Sequence, residues 1–194
     1  MLQSESISNG ISSKGEHMKN RPGLKQYIFA ALGVVILVLL DQYTKLLAIA
    51  HLKDQSAFVL WNNVFELHYL ENTGAAFSIM ENKTLFFCII TPILCAFMIY
   101  LYAKLPEKRE YTSLRIILVF LVAGAVGNLI DRVWHHYVVD FIYFSLINFP
   151  VFNVADIYVT CGVICLFILI LFVYSDQQFD EILYAVRHKK QENK

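Results

Sequence analysis

Charge is scarce in this chain. Asp, Glu, Lys and Arg make up 16% of its 194 residues, where a soluble domain carries about 25%. With 57% hydrophobic residues, the surplus apolar side chains must face lipid. Positive charge is not in excess either. The 16 basic residues balance 16 acidic ones, so the electrostatic footprint of a nucleic-acid binder is missing. Cys-x-x-Cys is absent. Cys88, Cys95, Cys161 and Cys165 all lie in apolar runs, and no His or carboxylate completes a metal set around Cys161 and Cys165. They read as small packing residues and fix no redox compartment. His-Glu-x-x-His is absent too, and the neighbours His135-His136 lack the three convergent ligands that a catalytic metal needs. No metal or organic cofactor is expected. There is no internal repeat, low-complexity tract or linker to mark a second domain.

Four apolar segments remain, roughly Tyr27–Ala50, Thr84–Ala103, Leu114–Ile130 and Val154–Tyr174. A bilayer span takes about 20 mostly apolar residues. The second and fourth meet that outright. Asp41 and Lys45 interrupt the first, while the third is short and carries Gly124, Gly127 and Asn128. The reading is an all-α polytopic membrane protein over residues 25–176. Residues 1–24 are polar and Ser-rich, a disordered cytoplasmic tail with Met18 as an alternative start, and residues 177–194 form a cytoplasmic C-terminal tail. The first segment has the basic flank and the Ala48-Ile49-Ala50 site of a signal peptide. Asp41 and Lys45 stand between core and site, so an uncleaved helix is expected.

Basic residues set the orientation. They gather in the N-terminal tail, around the second connection (Lys104, Lys108, Arg109, Arg115) and in the C-terminal tail, whereas the other two loops hold only Lys53, Lys83 and Arg132. Both termini are then cytoplasmic and the basic-poor loops lie outside. In the first outer loop, Phe65, Leu67 and Tyr69 alternate with Glu66 and His68, which predicts a half-buried strand over Val64–Leu70. The second outer loop holds Trp134, Tyr137, Phe141, Tyr143, Phe144, Phe149 and Phe152. Such aromatics suit the headgroup level, so an interfacial loop is expected, and Pro150 stops it from continuing a helix.

The informative residues are the polar ones inside this apolar frame. Asp140 lies in Val138-Val139-Asp140-Phe141, and Asp156 closes Phe152-Asn153-Val154-Ala155-Asp156. A carboxylate at the edge of a span loses water at a cost. Two that converge on one site split their pKa values, the arrangement of an aspartic protease. Asn153 and Asp156 also suit a plain helix cap, with Asp156 at the third helical position. Asp41 and Lys45 are spaced i, i+4, as a self-neutralising pair would be. Asn72 and Gly74 read equally as a loop turn or a ligand contact. Gly124 and Gly127 suit close helix packing, which leaves Asn128 and Arg132, four apart on one face, as substrate contacts.

Taken in order, these motifs resemble the lipoprotein signal peptidase family, also called signal peptidase II. The matching residues are Asp41-Gln42 with Thr44-Lys45; Asn72 with Gly74-Ala75-Ala76-Phe77; Gly127-Asn128 with Asp131-Arg132; Val138-Val139-Asp140-Phe141; and Phe152-Asn153 with Ala155-Asp156. The resemblance covers roughly Tyr27 to Tyr174. It implies four transmembrane helices with a small extracytoplasmic β-cradle and an interfacial helix. It implies a bacterial cell-membrane aspartic endopeptidase, which cuts prolipoproteins before a diacylglyceryl-modified cysteine. Asp140 and Asp156 would be catalytic, supported by Asp41, Lys45, Asn72, Gly74, Asn128, Arg132 and Asn153. Where the family usually has Gly the chain has His136, and Ile157 stands where Ser is frequent. Ala123-Gly124 replaces a frequent Gly pair, and the long N-terminal tail has no counterpart.

The expected chemistry is water-mediated peptide cleavage by one ionised and one protonated aspartate, near the outer interface. Expected partners are the lipid-modified precursor and membrane lipids, with no nucleic acid and a monomeric enzyme. A small proton-coupled transporter is the rival, since intramembrane carboxylates also mark ion paths. Such a path needs ionisable groups at several depths and commonly an internal repeat, which this chain lacks. A membrane scaffold without chemistry is the third reading.

Overall fold

The computed structural model describes residues 22–74 and 84–187. Residues 1–21, 75–83, which include Ala75-Ala76-Phe77, and 188–194 lie outside the described residues. Helices α1 (Leu24–Leu52), α2 (Thr84–Lys104), α3 (Thr112–His135) and α4 (Val154–Ile168) dominate the chain. A short 3-10 turn, Arg109–Tyr111, leads into α3, and a wider turn, Leu169–Val173, continues α4. These four stretches are long and apolar enough to cross a membrane. Helix α3 is central and packs against α1, α2 and α4. A last helix, α5 (Asp176–Arg187), falls within the stretch read as a tail. Glu181 holds it against the turn before α3 by accepting from Lys108 and from the Tyr111 hydroxyl.

The third span is longer than its interruptions suggest. Gly124 and Gly127 do not break α3, because both lie at close contacts. A Cβ at Gly124 would come 2.5 Å from the Ala155 carbonyl oxygen, and one at Gly127 would come 2.6 Å from Asp41 Oδ2. Helix α4 and the Asp41 carboxylate occupy the space a side chain would need.

Three antiparallel strands, β1 (Phe58–Trp61), β2 (Phe65–Asn72) and β3 (Val138–Tyr143), form one sheet in that order. The half-buried strand expected over Val64–Leu70 is β2. Leu67 and Tyr69 pack with Val139, Phe141 and Ile142 against Ala48, Ile49 and Leu52 at the end of α1. Leu70 pairs with Asp140, and Asn72 with Val138, on the opposite face. A bulge allows both faces to work. The Phe141 and Ile142 N–H groups both donate to the Phe152 carbonyl, at 3.0 and 2.8 Å. Opposite Phe152 the extra residue lies in β3, whereas opposite β2 the single Phe141 faces both His68 and Tyr69; Phe141 and Ile142 pack together on the core side, and Tyr143, paired with Glu66, returns to the face of Asp140. Phe141 therefore belongs to the core, not to an outward aromatic belt. Trp134 and Phe144 remain exposed.

Candidate active site

The site residues come from α1, β2, α3, β3 and the start of α4. Asp140 projects from β3 and is 1% exposed. Its Oδ2 accepts from Asn72 Nδ2 at 2.8 Å, and its Oδ1 from Asn153 Nδ2 at 2.6 Å. Asn72 ends β2, and its side-chain Oδ1 accepts from the Gly74 N–H at 3.0 Å. That turn fixes which way the amide points and aims its NH2 at Asp140. Asn72 is thus both a turn residue and a site residue. Gly74 is buried and lines the cavity.

Asp156 sits in the first turn of α4. Asn153 caps that helix: its side-chain Oδ1 accepts from the Asp156 N–H at 3.0 Å, and Asp156 Oδ2 accepts from the Asn153 backbone N–H at 3.1 Å. Asn128 donates to Asp156 Oδ1 at 2.7 Å. The cap and the site are the same atoms, because the Asn153 amide that is fixed by capping turns its NH2 to Asp140 and to Asn128 Oδ1. Asn153 thereby joins the two carboxylates.

Behind this pair lies a buried ionic cluster. Lys45 is 2% exposed, and its ammonium donates to Asp41 Oδ2 at 2.9 Å, Asp131 Oδ2 at 3.0 Å and Asn128 Oδ1 at 2.9 Å. All three of its protons are used. Asp41 also accepts from the Ala155 N–H at 2.9 Å, and Asp131 from the Val139 N–H at 3.0 Å. One carboxylate grips the start of α4 and the other grips β3 next to Asp140. Gln42 donates to Asp131 Oδ1 at 3.0 Å and to the Gly127 carbonyl at 3.2 Å. The sequence reading gives Asp131 and Gln42 no role. A third carboxylate inside an apolar helix was the available signal.

Arg132 donates to the Asn128 carbonyl at 3.3 Å and stacks 4.7 Å from the Phe87 ring centre. No carboxylate pairs with it among the described residues. Arg132 lines a cavity of about 710 Å³, which Asp140, Asp156, Asn72 and Asn128 also line. The cavity runs from the sheet, at Leu70 and Val138, down α4 to Ile157, Thr160 and Cys161, under a strap formed by Phe149–Phe152. Of the residues expected at the site, Asn72, Gly74, Asn128, Arg132, Asp140 and Asp156 line the cavity, Lys45 and Asn153 stand one hydrogen bond behind it, and Asp41 stands behind Lys45.

Burial pushes the Asp140 carboxyl up to about 7, and the nearby Asp156 charge adds to the rise, against the hydrogen bonds from Asn72 and Asn153. The geometry thus provides a carboxyl that holds its proton near neutral pH. Beside it stands the Asp156 carboxyl, in the first turn of α4.

Residues 33–172 match the family model described as signal peptidase (SPase) II. The lipoprotein signal peptidase of Caldanaerobacter subterraneus subsp. tengcongensis is 46% identical over 140 residues, covering 72% of this chain and 93% of that protein. The lipoprotein signal peptidase of Clostridium tetani is 42% identical over 151 residues, covering 76% and 94%. Among solved structures, a bacterial membrane enzyme determined by the in meso method at 1.9 Å superimposes with a TM-score of 0.67 at 32% identity. The match covers 81% of this chain and all of that one.

Proposed function

The chain belongs to the signal peptidase II family, and on that premise we propose that it removes signal peptides from bacterial prolipoproteins with an Asp140–Asp156 dyad. The bond cut is the one before the diacylglyceryl-modified cysteine. The observation that carries the dyad is the Asn153 bridge, which holds both carboxylates at one cavity.

Asp156 takes a proton from water, and the hydroxyl attacks the scissile carbonyl. Asp140, holding its proton near pH 7, donates to the carbonyl oxygen as charge develops there. The C–N bond then breaks as Asp156 passes its proton to the leaving nitrogen and Asp140 takes its own back from the hydroxyl formed on the carbonyl carbon, which leaves the acid, the amine and the starting dyad. Arg132, with N–H groups to spare, and the Asn72 and Asn128 amides position the peptide. Lys45, Asp41 and Asp131 keep α1, α3, α4 and β3 in register behind the pair. The acyl chains lie on the apolar wall of Ile157, Thr160 and Cys161. In this reading residues 25–176 form the catalytic unit, in the cell membrane, and the distribution of basic residues supports cytoplasmic termini with the sheet outside. The protein works as a monomer without a cofactor.

Lipid is the larger part of substrate recognition, because each buried methylene adds about 0.8 kcal/mol. Binding energy from this remote group also aligns the peptide bond with the dyad. The test compares lipidated and unlipidated forms of one precursor in the same detergent. The lipidated form is cut and the other is cut poorly even at saturation. Equal rates would remove the lipid from the account.

A further inference from the structure

A second hollow, of about 410 Å³, adjoins the cavity across the strap and is lined by His68, Tyr143, Asn148 and the shared wall Phe149-Pro150-Val151. Its floor continues the site. His68 lies two residues before Leu70 on β2, so strand alternation puts it on the face that carries Leu70 and Asp140. The bulge brings Tyr143 to the same face, where its ring stands 6.3 Å from that of His68. The Tyr143 hydroxyl donates to Asn148 Oδ1 at 2.7 Å, which leaves the Asn148 NH2 free to donate outward. Among the described residues the His68 imidazole enters no hydrogen bond.

The two ends of this track suit two ends of one substrate. One end follows α4 down its apolar length, where a signal segment and acyl chains belong. The other leaves along the sheet, away from the spans, where a chain bound for water must go. We propose that the His68–Tyr143–Asn148 hollow is a subsite for the polypeptide on the C-terminal side of the scissile bond. This rests on the peptidase reading above. Strand residues advance about 3.3 Å each, so two to three steps from Asp140 correspond to the second and third residues after the cut. The hollow offers donors, the Asn148 NH2 and one imidazole nitrogen, and acceptors, the Tyr143 oxygen and the other imidazole nitrogen, so it selects a hydrogen-bonding side chain over an apolar one.

The experiment uses the full chain in detergent and two lipidated precursors that differ only at the third residue after the cut, Asn in one and Val in the other. The wild-type enzyme gives a kcat/KM ratio, Asn over Val, of about fivefold, the worth of one retained hydrogen bond. In His68→Phe, which keeps the ring contact, and in Asn148→Gly, which tolerates the positive φ of 48° at that position, the ratio falls towards one. Reading the ratio within each variant cancels any change in folded fraction. A wild-type ratio near one, at this residue and at the second, overturns the subsite while cleavage itself upholds the peptidase reading. A ratio that survives in both variants also overturns the subsite. If the wild type cuts neither lipidated precursor, the peptidase reading fails and the subsite falls with it.

Discussion

Replacing Asp140 by Asn changes how stability depends on pH, in a direction the site geometry dictates. Burial, and then the Asp156 charge, raises the Asp140 carboxyl from 3.8 to about 7 in the folded protein. A carboxyl raised on folding binds its proton more tightly when folded. Its contribution to stability is therefore complete below about pH 4 and is lost as pH rises through about 7. Some three pH units at about 1.4 kcal/mol each give about 4 kcal/mol between those limits. For a chain of this length that is about 8–16 °C in Tm. The Asn variant lacks this titration. It carries instead a fixed cost at every pH, because Asn72 and Asn153 both donate to Asp140. An amide accepts with one atom only, and its NH2 meets one donor head-on, at about 1–3 kcal/mol. Asp140→Asn is thus the less stable protein at pH 4 and the more stable at pH 8.5. The assay is thermal unfolding of both proteins in one detergent across that range. Parallel Tm-against-pH curves would refute the reasoning, since they would mean that Asp140 titrates alike folded and unfolded.

Lys45→Met removes the cation between Asp41 and Asp131, both within 2% of complete burial, and costs about 3–5 kcal/mol. A second change, Asp131→Asn, recovers part of the lost Tm in a double-mutant comparison. His136 ends α3 with φ 66°, a left-handed conformation in which glycine is at ease. His136→Gly raises Tm by an amount equivalent to about 1 kcal/mol, and an unchanged or lower Tm contradicts that account of the position.

How much of this was legible in the sequence depended on whether the cause was local. Span positions follow from apolar length alone. Asp41 and Lys45 met as an i, i+4 pair, and Asn128 and Arg132 as neighbours on one helix face, because helical spacing fixes both. The Asn153–Asp156 cap was equally legible, although spacing could not show that the capping amide also reaches Asp140. Strand β3 was not. Val138–Tyr143 reads as an apolar loop because its bulge breaks the alternation that announces a strand. Phe141 moved into the core for the same reason. Asp131 needed tertiary contacts, with Lys45 on α1 and the Val139 N–H on β3, that no local pattern encodes. Helix α5 was hidden by its charge. Phe179, Ile182, Leu183 and Val186 have helical spacing, but in a short polar stretch after the last span they read as tail.

The central claim is that two carboxylates, joined by Asn153 at one cavity, cut the peptide bond. The direct measurement is turnover of a lipidated precursor by purified wild type, Asp140→Asn and Asp156→Asn, each first shown to unfold cooperatively in the same detergent. An amide keeps the shape of the carboxyl but neither accepts the water proton nor passes one to the carbonyl oxygen. Each variant is predicted to lose about 10²–10⁴-fold or more in kcat while still binding the precursor. Near-wild-type turnover by either folded variant would contradict the account.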